Sequence, residues 1–315
     1  MRGLQAEGGA LVWRDQPAEQ LKPGQVRLRV MAAGLNRADL LQKAGMYPPP
    51  PGVTQVIGLE CAGEVIEVSG ESRWKTGDRV CALLAGGGMA EEVVVDGRHL
   101  LPVPDGMDWA QAAAIPEVFS TAWLNIFELG AAKPGEKVLI HAGASGVGTA
   151  AIQLCKALGN PCWVTLGSEE KLAACRDLGA EGGALRQNGI RSLQSEGPFS
   201  VALDPVGAPY AADHLDLLGM DSRWVLIGLM GGREATLDLA KVLAKRIQLT
   251  GSTLRARSGD FKAELLARME ERLWPLFAEG TLRPLVARTY NFDQAEEAFA
   301  ELASDQVIGK VIMVR

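Results

Sequence analysis

The chain has 315 residues, of which 47% are hydrophobic and 22% charged, and its formal net charge is −6 at neutral pH. That length suits two domains, each able to bury its own core, in an ordinary globular protein. The negative balance argues against a general nucleic-acid binder, which needs a basic excess to neutralise phosphates, and no stretch approaches the roughly 18 apolar residues of a membrane span.

Residues 25–33 (QVRLRVMAA) alternate polar and apolar side chains with period two, the pattern of a half-buried strand. A second strand pattern with internal glycines covers 56–68 (VIGLECAGEVIEV) and fits a bulged barrel strand. WKTGDRV (74–80) reads as a turn into a strand, and AEEVVVD (90–96) as one more. Short strands between Gly, Pro and Asp turns predict a partly closed β-barrel for about the first 100 residues. Near residue 109 the pattern changes. WAQAAAIPEVFSTAWLNIFELG is rich in helix formers, with Pro116 interrupting it and Gly130 as the expected C-cap.

Strand candidates then fall at 137–141, 161–166, 182–186, 200–204, 223–228 and 247–253. Helix candidates at 147–158, 169–178, 209–218 and 237–245 fill most of the intervals, the βαβ rhythm of an α/β doubly wound parallel sheet. Apolar spacing through Phe261, Leu265, Leu266, Met269 and Leu273 predicts a helix over 261–279. A strand near 285–290, a short acidic helix near 293–303 and a strand VIMVR complete the tail.

The most informative segment is VLIHAGASGVGTA (138–150), an apolar strand that breaks into a Gly-rich turn and becomes helical. Gly143, Gly146 and Gly148 let the backbone turn tightly and approach a diphosphate, and the following helix points its unpaired N–H groups at the anion. Ser145 and Val147 lie in the same turn, and the βαβ context makes it a dinucleotide site. NADH-selective sites place an acid about 20 residues beyond such glycines to bind the ribose 2′-OH. VTLGSEEK (164–171) has Gly167 and Ser168 there instead, followed by Lys171, and Arg186 ends the next strand. A hydroxyl and two cations with no acid suit a 2′-phosphate, hence NADPH. Lys171 and Arg186 could also be merely solvated. The segments DPVG (204–207) and GLMGG (228–232) follow two further strands, and Val206, Gly228 and Met230 are expected beside the nicotinamide–ribose half.

In LNRADLLQKAGMYPPPPG (35–52), Asn36 and Asp39 read as helix caps or as site residues. Tyr47 precedes four prolines, a stiff segment that would present a phenol and an aromatic face to a planar ligand. The basic residues Lys241, Lys245, Arg246, Arg255 and Arg257 form no run and read as a solvated face. His99, His141 and His214 are scattered without metal-ligand spacing, so no metal site is expected. Five cysteines without a C-x-x-C pair, and no apolar leader, make a reducing cytoplasm the simplest compartment; Cys61 and Cys155 read as packing residues.

LNRADL (35–40), GMYPPPPG (45–52), GLECAGEV (58–65), WKTGDRV (74–80), QAAAIPE (111–117), LIHAGASGVGTAAIQL (139–154), RWVLIGLMGG (223–232) and IGKVIM (308–313) together carry a resemblance. The chain resembles the zinc-free, zeta-crystallin-like quinone oxidoreductases of the medium-chain dehydrogenase/reductase superfamily. It is most similar to the branch containing the animal tumour-suppressor-induced quinone oxidoreductase, which Ser145 in the Gly-rich turn also fits. Zinc-dependent members carry Gly-His-Glu where this chain has Gly58, Leu59 and Glu60, and leucine cannot ligate zinc.

The resemblance implies a GroES-like barrel domain over 1–116 and 257–315, a Rossmann domain over 117–256, and a substrate cleft between them. It places Asn36 and Tyr47 on the substrate side and Lys310 among the cofactor contacts. It also implies a homodimer through the strand at 247–253. The expected activity is hydride transfer from NADPH to a small-molecule quinone, with neither nucleic acid nor membrane as partner. Asn36 or Tyr47 would donate a hydrogen bond to the developing oxyanion, and a hydroquinone anion is a weak enough base to need no dedicated general acid. Reduction of the activated C=C bond of an enone or alkenal is the alternative, and a non-catalytic NADPH-binding structural or RNA-binding role is a third.

Overall fold

A computed structural model of the chain describes residues 1–17 and 19–315. They group into two compact units: Met1–Ser120 with Leu254–Arg315, and Thr121–Thr253.

The first unit opens with a hairpin of β1 (Arg2–Glu7) and β2 (Ala10–Asp15), followed by β3 (Gln25–Gly34) and α1 (Arg37–Lys43). Strands β4 (Glu60–Val68), β5 (Arg79–Leu83), β6 (Glu92–Asp96) and β7 (Leu100–Pro102) continue it, then α2 (Trp109–Ala113) and α3 (Pro116–Trp123). The period-two pattern of β3 buries Val26, Leu28 and Val30, each contributing about 1.5–3 kcal/mol. Gly63 on β4 faces β3 so closely that a Cβ would lie 2.1 Å from the Arg29 carbonyl oxygen. The β3–β4 register shifts next to it, the bulge its glycines predicted. The strand forecast from residue 56 starts only at Glu60, because Gly58 takes a φ of +112°. Ile57 instead bonds to Leu4 and Met89 across the β1 hairpin and a neighbouring loop. Pro116 does not merely interrupt a helix; it begins α3. Gly130 is the C-cap, as expected, its N–H donating to the Asn125 carbonyl at the end of a π-helical turn at Leu124–Leu129. Its φ is −73°, and glycine is required there by packing, since a Cβ would lie 2.7 Å from the Asn125 and Ile126 carbonyl oxygens.

The second unit holds β8 (Val138–His141), α4 (Gly146–Ala157), β9 (Cys162–Leu166), α5 (Glu169–Leu178) and β10 (Gly182–Leu185). Then come β11 (Phe199–Asp204), α6 (Ala211–Leu217), β12 (Leu218–Leu226), α7 (Leu239–Lys245) and β13 (Gln248–Gly251). All six strands run parallel in the order β10-β9-β8-β11-β12-β13. Numbered within the unit this is 3-2-1-4-5-6, the doubly wound order whose chain reversal, between β8 and β11, opens a ligand crevice at the strands' C-terminal ends. The expected Rossmann sheet is present.

The chain returns to the first unit through α8 (Gly259–Ala278), β14 (Val286–Asn291), α9 (Ala295–Ala303) and β15 (Lys310–Val314). There β15 lies between β14 and β3, so the N-terminal sheet is completed from the far end of the sequence, as a GroES-like domain requires. All five cysteines are free and buried, Cys61 and Cys155 among them. Among the described residues no helix is long and apolar enough to cross a membrane.

Candidate functional site

In the second unit, β8 ends at His141 and the backbone turns through Ala142, at a φ of +55°. A Cβ on Gly143 would sit 2.5 Å from Val164 on β9. One on Gly148 would sit 2.4 Å from the Gly143 carbonyl oxygen. Both glycines are therefore fixed by close approach rather than by flexibility. Ser145 caps α4, its Oγ accepting from the Gly148 N–H at 3.1 Å, and its O–H remains to donate. Ser145 is exposed and Gly146 and Val147 partly exposed, so the amino end of this 12-residue helix faces outward beside a bare turn. That cradle suits a diphosphate.

At the end of β9, Ser168 caps α5 by accepting from the Lys171 N–H. Lys171 itself is only 9% exposed, which corrects its reading as an open cation or a solvated residue. Arg186 is exposed, and a Cβ on Gly167 would come within 3.1 Å of its guanidinium, so the missing side chain leaves room for the arginine over the strand end. Gly167, Ser168 and Arg186 thus lie together at this strand end, with the Lys171 backbone bonded to Ser168. Further along this edge, Asp204 Oδ1 accepts from the Val206 and Gly207 N–H groups at 2.7 and 2.9 Å. Met230 N–H donates to the Pro205 carbonyl, and Gly207 bridges Gly232, which ties the two late loops together. Gly228 packs on Pro205, where a Cβ would approach the carbonyl oxygen to 3.0 Å. Met230 is exposed and Val206 partly exposed at the surface of these loops.

The histidines are not all scattered. His141 and His214 are buried with Nε2 facing Nε2, and His141 Nδ1 meets Thr165 Oγ1 at 2.9 Å. Burial holds both imidazoles down to about 3, so they are neutral near neutral pH. Asp204 comes within 4.8 Å of both, but its Oδ2 already accepts from Trp224 Nε1 at 2.9 Å and its Oδ1 from the loop amides. The cluster holds the DPVG loop against the sheet.

In the first unit, Glu60 is buried at the start of β4. It accepts from Lys310 Nζ at 2.6 Å, Asn36 Nδ2 at 3.0 Å and the Glu117 N–H at 2.8 Å. Lys310 also donates to the Leu35 carbonyl and to Asn36 Oδ1. An ammonium has three donors, and all three are spent inside the fold. The expected contact between Lys310 and a cofactor is therefore withdrawn. Asn36 is likewise committed: Nδ2 serves Glu60 and the Gly34 carbonyl, Oδ1 accepts from Lys310, and its N–H donates to Asp39 Oδ2 at 2.7 Å. Asn36 positions this cluster, and no amide hydrogen is left to meet an oxyanion.

Tyr47 is partly exposed, and burial raises its phenol above the ordinary value despite nearby Arg255, so it stays a donor. The anchor sequence reasoning assigned to the prolines is Arg255. Only 4% exposed, it sits over the Tyr47 ring at 5.2 Å and donates to the Tyr47 carbonyl, to Gln42 Oε1 and to the Ala85 carbonyl. Its reading as a solvated residue is corrected. Lys262, also buried, donates to the Arg255 carbonyl. Glu117 is the residue the sequence reading overlooked. Burial first, then the negative Glu60, push its carboxyl up to about 8, against the pull of Lys310 and Lys262. The hint available was an acid directly after a proline that starts a helix, inside an otherwise apolar run.

Comparison with known proteins agrees with this anatomy. The Alcohol dehydrogenase GroES-like domain family matches residues 22–105, and the Zinc-binding dehydrogenase family matches 146–271. The human synaptic vesicle membrane protein VAT-1 homolog is 31% identical over 312 residues, covering 93% of this chain and 79% of the relative. The chain belongs to the medium-chain dehydrogenase/reductase superfamily. It is an oxidoreductase of that superfamily. The solved quinone oxidoreductase of Thermus thermophilus, described with its NADPH complex, is 32% identical and covers all of both chains with a TM-score of 0.84. The solved JamJ enoyl reductase is 25% identical, covering 99% of this chain and 98% of its own, with a TM-score of 0.87. This superfamily member also matches the polyketide synthase GfsB of Streptomyces halstedii at 34% identity, but spans 5% of that much longer protein.

Proposed function

We propose that this oxidoreductase reduces a quinone with NADPH, by hydride transfer without a metal, in the branch of the tumour-suppressor-induced quinone oxidoreductase. The observation that carries the reading is Tyr47, a partly exposed phenol whose aromatic face is braced by the buried Arg255. A rigid ring with a polar tip suits a flat acceptor at little cost in entropy. Its O–H stays protonated and would hydrogen-bond the oxygen on which negative charge develops. Leu59, apolar and buried where zinc-dependent members place a histidine, supports the absence of a metal.

The residues present fit a dinucleotide, because the Cβ positions at Gly143 and Gly148 are already filled by neighbouring atoms and the turn can carry no side chains there. Gly143, Ser145, Gly146, Val147 and Gly148 would hold the diphosphate, and Gly167, Ser168 and Arg186 the phosphorylated ribose. Val206, Gly228 and Met230 would lie along the nicotinamide end. When bound, the reduced dinucleotide supplies the hydride. Likeness to the Thermus enzyme supports this choice of cofactor and acceptor.

Reduction of an enone or alkenal is the second reading, favoured by the likeness to an enoyl reductase. A panel of ortho-quinones and alkenals, followed by loss of NADPH absorbance, separates the two. Quinone turnover is expected. Brisk alkenal turnover with none on ortho-quinones would overturn the first reading, and silence on every acceptor would favour a non-catalytic role.

A homodimer belongs to the same proposal. β13 is an edge strand, Leu249 on it is 46% exposed, and Leu243 on the adjoining α7 is 81% exposed. A second copy across a two-fold would extend the sheet and cover these leucines. The free, buried cysteines fit the reducing cytoplasm expected for it.

A further inference from the structure

Three carboxyl groups gather in the first unit, and they are not equivalent. Glu60 is buried and fully bonded. Asp39 is 1% exposed; burial raises it to about 7, and it is sealed from any ligand. Glu117 is partly exposed, and among the described residues none hydrogen-bonds to its carboxyl, although its own N–H is pinned to Glu60. Its electrostatic surroundings include Glu60, Asp39, Lys310, Lys262, Tyr47 and Arg255. The neighbouring Glu60 and Asp39 carboxyls oppose its ionisation, while the ammonium and guanidinium groups are held by other acceptors. The backbone anchor sets the position of the group, the partial exposure gives a ligand access, and no internal acceptor competes for the proton.

We propose that Glu117 is the proton donor of the reduction, delivering its carboxyl hydrogen to the acceptor's carbonyl oxygen beside Tyr47. The inference rests on the reductase reading above. The reduced dinucleotide, when bound, would supply a hydride with both electrons to the conjugated acceptor. The displaced π pair moves to the carbonyl oxygen, which takes the proton as the Glu117 O–H bond breaks. Glu117 is left a carboxylate and regains a proton from solvent through its exposed side, so each turnover consumes one NADPH and one solvent proton. Because its carboxyl is raised to about 8, the acid form is populated near pH 7 and the donor is still weak enough to be recharged. A dedicated acid is therefore present where the chemistry of hydroquinones alone would not have demanded one.

The test compares wild type with E117Q and E117D, using an ortho-quinone and an enone. E117Q should lose about a hundredfold in kcat, and the wild-type fall in kcat above about pH 8 should vanish from its profile. E117D, which keeps a carboxyl, should restore part of the rate and the alkaline limb. A difference infrared spectrum of wild type minus E117Q near pH 7 should show a protonated carboxyl. D39N should retain the alkaline limb, since Asp39 is sealed. The proposal is overturned if E117Q keeps the wild-type rate and pH profile, or if the infrared difference lacks the carboxylic acid. A wild type inactive on both acceptors would overturn it together with the reductase reading, whereas an active wild type with an indifferent E117Q removes Glu117 alone.

Discussion

Replacing Lys310 with Met keeps the aliphatic stem and deletes the ammonium. Glu60 would then remain buried, with the Asn36 amide and the Glu117 N–H as its only remaining partners among those it has now. Removing one member of a buried, hydrogen-bonded ion pair costs about 3–5 kcal/mol, because the surviving charge has lost its compensation. For a unit of this size each kcal/mol lowers the melting temperature by roughly 2–4 °C, so the transition of the first unit should fall by about 6–20 °C. The double variant E60Q/K310M removes the stranded charge as well and should recover most of the loss. Calorimetry on the three proteins at one pH and salt concentration reads both effects. A K310M protein that melts with wild type, or a double variant less stable than K310M, would refute the reasoning.

R186A should weaken NADPH by about ten- to a hundredfold, the worth of one or two charge-assisted bonds, and spare NADH; equal losses in calorimetric titrations would show the 2′-phosphate to be elsewhere. K171A, by contrast, should lower the melting temperature without changing the NADPH/NADH ratio. His141 and His214 are held near 3 when folded and return to about 6.5 when unfolded, so below that value the unfolded chain binds more protons. Their contribution to stability is complete above about pH 6.5 and drains away as pH falls toward 3, while Asp39 and Glu117, raised to about 7 and about 8, act in the opposite sense. In a D39N/E117Q background, where that opposition is removed, urea midpoints read by tryptophan fluorescence should drop between about pH 7 and 4, and a flat profile there would contradict it. L243D/L249K should sediment as a monomer where wild type sediments as a dimer, and identical sedimentation would remove the proposed interface.

Periodicity made the second unit legible, because a parallel sheet repeats one local pattern. Helix α5 spans the forecast 169–178, and the strand–helix alternation runs to β13 as anticipated. The Gly-rich turn was legible because only glycine fits where Val164 and the Gly143 carbonyl press on the backbone. The cluster around Glu60 was not. Its members come from β4, α1, α3 and β15, and no local spacing reveals that Lys310 closes on Asn36 or that Arg255 underlies Tyr47. The same blindness hid the meeting of His141 with His214, which lie 73 residues apart. Side chains whose role depends on long-range partners read as surface or as spare cations until the fold places them.

Completion of the N-terminal sheet by β15 sets an order on biosynthesis. Asn36 and Lys310 stand 274 positions apart. At roughly 5–20 residues per second a ribosome needs about 14–55 s to supply the second after the first. In that interval the contiguous unit Thr121–Thr253 can emerge whole and close on its own contacts, while β3 awaits its neighbour and Glu60 its counter-ion. A nascent polypeptide stalled before β15 would carry a stranded acid and an open strand flank, features that chaperones and proteases can recognise. Closure of the N-terminal sheet thereby waits on a strand made long after its neighbours.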